Sequence, residues 1–181
     1  MGVAAPVKTV LVICHANTAR SVMAHVLLER TLAEREAAGH IRIRSGGIAN
    51  YARDGMLPSL DARIVLREEG IDLDEERLTS TDLKRHRHLL AEADLILTMT
   101  AAQKAMLDAF AEARGRPVYT LAEFAGTPGD IEDPAMQGEV VFRACRDEIK
   151  RCLGPAVDRL LTLFPRDDSR NGDGRRARGS S

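Results

Sequence analysis

Cys14 closes the apolar run VLVIC, and after five intervening residues Arg20 follows with Ser21 beside it. A thiol and a guanidinium at this spacing, where a strand gives way to a helix, leave enough backbone to curl round a tetrahedral oxyanion. Successive N–H groups then point inward, with the helix N-terminus beneath them. The sulfur lies at the floor of a phosphate-sized cup and the arginine clamps its rim, an arrangement for cysteine-based phosphoryl transfer. Taken singly, neither residue carries that reading. A cysteine ending a buried strand is ordinarily a small hydrophobe, and Arg20 alone is an ordinary solvated helix residue. The order of apolar run, cysteine and arginine shifts the balance, but a bare C-x5-R also recurs by chance, so a second catalytic element is required.

The roles within the run follow from elementary chemistry. The thiolate is the nucleophile, and the helix N-terminus, Arg20 and the inward N–H groups of residues 15–20 all favour the anion. Ser21 can donate to the sulfur. Arg20 presents a planar fork matched to two phosphoryl oxygens. Asn17 tolerates a left-handed backbone, and its side chain can tie the loop to Ser21.

The elements that must hold these residues are legible from periodicity. A nearly continuous apolar run over 7–13 reads as a parallel strand covered on both faces. Four-residue apolar pairs from Ser21 onward read as a helix to about Ala38, stopped near Gly39. The alternation of Ile and Arg over 41–46 predicts a second strand near a sheet edge. A loop over 46–58 precedes a helix over 60–69 ended by Gly70, and the polar stretch 79–93 reads as helical. A strand over 94–99, a helix over 101–113 and a strand over 118–121 follow. A Pro- and Gly-bearing loop over 126–134 then leads into a long helix over 139–164, with a kink or break expected at Gly154-Pro155, just after Cys152. Strands separated by helical segments imply parallel crossovers. The predicted fold is therefore a single-domain α/β architecture, a four-stranded parallel sheet with helices on both faces and the phosphate loop after the first strand. Ligands in such sheets bind beyond the carboxyl ends of the strands, where Cys14 falls.

Composition bounds the class. The 181 residues are 44% hydrophobic and 29% charged, ordinary for a soluble globular domain, and aromatics are only 3% with no Trp. A net charge of -1 argues against nucleic-acid binding or membrane attraction. The N-terminus lacks the pattern of a signal peptide, and three cysteines in no tight framework suit a reducing compartment. A cytoplasmic location is expected. Residues 1–165 read as one domain. Residues 166–181, with five Arg and three Asp for a net +2, contain no apolar residue larger than Ala and are expected to form a disordered basic tail. Oligomeric state leaves no mark in the sequence.

Cys14-His15-Ala16-Asn17-Thr18-Ala19-Arg20-Ser21, with Met23-Ala24 after it, resembles the phosphate loop of the low-molecular-weight protein tyrosine phosphatases. Ser45-Gly46-Gly47 is similar to the family's motif after its second strand, ADLILTMT at 93–100 to its third strand, and GDIEDP at 129–134 to the loop bearing its general acid. The resemblance spans residues 7–163. It implies a protein phosphatase acting through a cysteinyl-phosphate intermediate on phosphorylated proteins, with no metal or other cofactor. It also implies that Asp133 protonates the leaving atom and then deprotonates the attacking water. An Asp before Pro otherwise starts a turn or caps a helix, and Asp130 is the alternative acid.

Three departures from the family pattern stand out. Ala16 replaces a Gly, at a cost of about 1 kcal/mol or more if that position requires a positive φ. Ala19 replaces a second loop cysteine, leaving Cys14 without a near resolving partner, and Val22 replaces a Pro. Substrate choice turns on Thr18 and Tyr51. Members acting on phosphoarginine resemble this chain at Thr18, and Ala135 and Met136 offer no aromatic wall. Tyr51 falls where tyrosine-specific members place a stacking aromatic, or is an exposed loop residue. Two rival readings are a thioredoxin-coupled arsenate reductase, with Cys145 and Cys152 as a thiol relay, and a catalytically weak phosphate-binding module. Cys145 and Cys152 share a stripe with Ile149 and Ala156, the face a terminal helix buries, and a binding module needs neither nucleophile nor acid.

Overall fold

The structure, a computed structural model, describes residues 6–166. The tail expected over 166–181 lies outside the described residues except for Arg166. Four parallel strands, β1 (Lys8–Cys14), β2 (Ile41–Gly47), β3 (Leu95–Thr98) and β4 (Val118–Thr120), form one sheet in the order β2-β1-β3-β4. Helices α1 (Arg20–Glu34), α2 (Leu60–Arg67), α3 (His88–Glu92), α4 (Ala101–Met106), α5 (Leu121–Phe124) and α6 (Glu139–Leu163) cover it. Two cores lie on the two faces. Val10, Val12, Leu95 and Leu97 pack against residues of α1, α2, α5 and α6, and Leu11, Ile13 and Ile96 pack against Leu83, Leu90, Leu107 and Phe110. The alternation of Ile41 and Ile43 inward with Arg42 and Arg44 outward marks β2 as an edge strand, as expected. No helix among the described residues is long and apolar enough to cross a membrane.

Strand succession moves from β1 to β2 in one direction, then returns past β1 to β3 and β4. The chain leaves the carboxyl ends of β1 and β3 in diverging directions, which opens a crevice at this reversal. Two glycines at the end of β2 leave room for close neighbours. A Cβ on Gly47 would meet Ala16 C and His15 O at 2.8 Å, and one on Gly46 would meet the Leu83 side chain at 2.6 Å.

Several expected elements differ. α1 ends at Glu34 rather than near Ala38, because Glu36 takes a left-handed backbone (φ 54). Ala37 N–H then bonds Leu32 O at 2.8 Å and Glu36 N–H bonds Ala33 O at 3.0 Å, closing the helix in a Schellman motif. Only His88–Glu92 of the polar stretch 79–93 is helical. Its first part instead spends its N–H groups on neighbours: Leu83 on Gly47 O, Thr81 on Asn17 Oδ1 and Asp82 on Asp54 Oδ1. The helix over 101–113 shortens to α4 followed by two 3-10 turns, Leu107–Ala109 and Ala111–Ala113. A Thr120–Glu123 capping box starts α5 where β4 was expected to run on to Leu121. α6 runs unbroken through Pro155. Leu153, Ala156, Val157 and Leu160 are buried on either side of it, so packing holds the helix across the lost hydrogen bond.

Candidate active site

Parity along β1 decides where the thiol points. Side chains alternate along a strand, and Cys14 shares a face with Val10 and Val12, the face covered by α1 and α6. The sulfur therefore emerges under the first turn of α1. Between strand and helix, carbonyl groups of the loop turn outward: Cys14 O, His15 O and Thr18 O accept from the N–H groups of Ile48, Ala49 and Ser59 at 2.8–3.1 Å. The N–H groups of Ala16, Thr18 and Ala19 are left without a protein acceptor among the described residues. Ala19 supplies no side-chain cap to α1, so that helix's first N–H groups are also free for an anion.

The sulfur is held by donors. Asn17 N–H lies 3.2 Å from Cys14 Sγ and Ser21 Oγ 2.9 Å from it. Asn17 Nδ2 donates to Ser21 Oγ at 2.8 Å, which leaves the Ser21 hydrogen to point at the sulfur. Thr81 N–H, at 2.9 Å from Asn17 Oδ1, fixes the orientation of that amide. Asn17 carries the left-handed backbone of the loop, with φ 59. Ala16 is not at positive φ, so the expected cost of its methyl does not arise there.

Arg20 is only 2% exposed. Its Nη1 donates to Ile131 O at 2.9 Å, and its Nη2 lies 3.0 Å from His15 Nδ1 and 3.5 Å from Asp133 Oδ2. The other Asp133 oxygen, Oδ1, accepts from Ala135 N–H at 3.1 Å, a turn rather than a cap of α6, which starts later at Glu139. Cys14, Thr18, Arg20, Tyr51, Asp61 and Asp133 line one cavity of about 290 Å³. A larger groove, about 800 Å³, lies along α1, β2 and the turn after α2, and none of these six residues lines it.

Residues 9–162 match the family model described as low molecular weight phosphotyrosine protein phosphatase. The chain belongs to this family. The phosphatase is 35% identical over 155 residues to a protein-arginine-phosphatase of Geobacillus stearothermophilus, covering 84% of this chain and 96% of that one. It is 32% identical over 160 residues to a probable low molecular weight protein-tyrosine-phosphatase of Ralstonia nicotianae, covering 87% and 99%. Its fold matches the solved YwlE arginine phosphatase from Geobacillus stearothermophilus with a TM-score of 0.73 at 33% identity, covering 86% of this chain and 94% of that one.

In this phosphatase the structure brings together the sequence-predicted loop residues 14–21, Tyr51 and Asp133. Asp130 stays apart: its Oδ1 accepts from Ala101 N–H at 2.9 Å, at the start of α4, and it does not line the cavity. Cys145 and Cys152 are buried in α6, and burial pushes the Cys145 thiol up to about 12 and raises that of Cys152. Protonated, buried thiols are poor relay partners. Gln103, Thr81, Ile131 and Asp61 escaped the sequence reading. Only Gln103 left a signal, the Thr100-x-x-Gln103 capping box. Thr81 and Ile131 act through backbone groups, and Asp61 reaches the cavity only through the fold.

Proposed function

We propose that this protein is a protein-arginine phosphatase in which Cys14, Arg20 and Asp133 carry the chemistry. Cys14 Sγ attacks phosphorus, the bond from phosphorus to the substrate nitrogen breaks, and protonated Asp133 gives its proton to that nitrogen. The Asp133 carboxylate then takes a proton from water, whose oxygen displaces sulfur from the cysteinyl-phosphate and releases inorganic phosphate. Arg20 and the free N–H groups of the loop take the charge spread over the equatorial oxygens.

The observation that carries the substrate assignment is Thr18. A small polar side chain lines the cavity beside the nucleophile, with its backbone oxygen held by Ser59 N–H at 2.8 Å. It leaves room and a hydrogen-bonding oxygen for a guanidinium leaving group. Asp61, in the first turn of α2, lines the same cavity, and its negative charge suits a cationic group. The arginine phosphatase of Geobacillus stearothermophilus among its relatives supports the same reading. One observation favours phosphotyrosine: Tyr51 also lines the cavity, and its ring stacks on His15 with centroids 6.5 Å apart. A phosphorylated protein is the substrate in either case, and a reducing, cytoplasmic setting suits a free thiol nucleophile.

The test is kcat/KM for phosphoarginine and phosphotyrosine peptides side by side, repeated with Thr18→Ile. We expect the wild type to prefer phosphoarginine and Thr18→Ile to move the ratio at least about tenfold toward phosphotyrosine, the size of one lost or gained polar contact. An unchanged ratio removes the reason for the assignment.

A further inference from the structure

Gln103 is fully buried, yet nothing in the chemistry above uses it. Its Oε1 accepts from Met99 N–H at 2.9 Å and Thr100 N–H at 3.2 Å, and two donors on one end of an amide identify that end as oxygen. Nε2 therefore donates, and it lies 3.1 Å from His15 Nδ1. Arg20 Nη2 approaches the same nitrogen at 3.0 Å, and a guanidinium has no acceptor to offer. With donors on both sides, Nδ1 must hold a lone pair, so His15 is neutral with its proton on Nε2. The groups facing the ring agree in sign. Burial and the Arg20 guanidinium lower the His15 pKa below the ordinary imidazole value, Asp133 opposes them more weakly, and Tyr51 stacks on the face.

We propose that Gln103 and His15 are positioning residues that hold the Arg20 fork in the orientation phosphate requires. This rests on the assignment of Arg20 above but not on the choice between phosphoarginine and phosphotyrosine. Ile131 O grips Arg20 Nη1 from one side, and His15 Nδ1 accepts from Nη2 on the other. The bridge spans the crevice between the segments leaving β1 and β3, so it also ties the phosphate loop to the start of α4. Protonation of His15 places a third N–H against two others and ejects Arg20 from this contact. The active form is therefore the neutral one, and activity falls as pH drops through the lowered His15 pKa.

The experiment has two parts. Long-range ¹⁵N–¹H correlation spectra of the full chain report the His15 tautomer without reference to turnover, with His15→Gln supplying the assignment. Nδ1 is expected unprotonated and Nε2 protonated at about pH 7 to 8, above the ordinary imidazole range, and an Nδ1–H tautomer overturns the proposal. The second part is the pH dependence of kcat/KM on p-nitrophenyl phosphate for wild type and Gln103→Glu. Glutamate can still accept from Met99 and Thr100 N–H but turns an acceptor toward His15. It should raise the His15 pKa, move the acid limb to higher pH and lower kcat/KM about tenfold near neutrality. The substrate's own ionisation cancels between the two enzymes. An unmoved limb in folded Gln103→Glu, or His15→Leu matching His15→Gln in kcat/KM, also overturns the proposal, because only Gln retains an acceptor for Arg20. Absence of turnover in the wild type strikes the functional assignment instead and leaves the tautomer result standing.

Discussion

The phosphate loop over 14–21 and the proposed acid loop over 126–138 both contain a non-glycine residue in the left-handed region, Asn17 at φ 59 and Met136 at φ 62. They bear that strain differently. Asn17 is 1% exposed, and its backbone N–H, amide nitrogen and amide oxygen all hold partners. Met136 is fully exposed and its side chain holds nothing. The acid loop is pinned chiefly at Ile131, whose N–H bonds Met99 O at 2.9 Å and whose carbonyl receives Arg20. Beyond that pin Asp133 sits about half exposed, 3.5 Å from Arg20. A nucleophile and its oxyanion donors gain from being fixed before substrate arrives. An acid that must reach leaving groups on a protein surface gains from access. Strain over-determined by hydrogen bonds marks the first kind of site, and exposure marks the second.

The contrast can be broken at several points, taken from the largest expected effect downward. Cys14→Ser should reduce turnover by at least about 10³-fold with the fold intact, because no other group in the cup can take its place. Steady-state hydrolysis of p-nitrophenyl phosphate and a far-UV spectrum check both halves. Asp133→Ala should cost roughly 10²-fold or more on substrates with poor leaving groups and much less on activated aryl phosphates. Equal losses on both would assign Asp133 to its Ala135 turn alone.

Asn17→Gly separates strain from bonding. Glycine relieves the left-handed backbone, yet the bonds to Ser21 and Thr81 disappear, so denaturant unfolding should show a net loss of about 1–2 kcal/mol. Met136→Gly is the matched control and should have the opposite sign. Relief of roughly 1 kcal/mol of strain, less the entropy glycine adds to the unfolded chain, leaves a gain near 0.5 kcal/mol in the same measurement. Stabilisation by both variants would mean that the Asn17 network contributes little.

Much of the fold was open to reading because it rests on local pattern. All four strands, the edge character of β2 and the long α6 follow from apolar periodicity, which is a property of short windows. The two larger misses share one cause, contacts that only the tertiary structure sets. Residues 79–87 carry a helix-compatible polar composition, but Thr81, Asp82 and Leu83 spend their N–H groups on Asn17, Asp54 and Gly47, partners distant in sequence. Pro155 reads as a helix breaker, yet the buried residues around it keep α6 continuous.

The candidate site divides the same way. C-x5-R-S after an apolar strand already specified a thiol, a guanidinium and a backbone cup, since those groups are neighbours along the chain and a strand-to-helix junction brings them together. The acid role proposed for Asp133 came through likeness to a family, because nothing local separates an acid from a turn-forming aspartate. Tertiary structure alone decided which way the sulfur faces, which oxygen and nitrogen grip Arg20, and that a buried glutamine stands behind His15. Those outcomes depend on strand order and on the crevice between β1 and β3, where residues about 90 apart in the chain meet within hydrogen-bond distance.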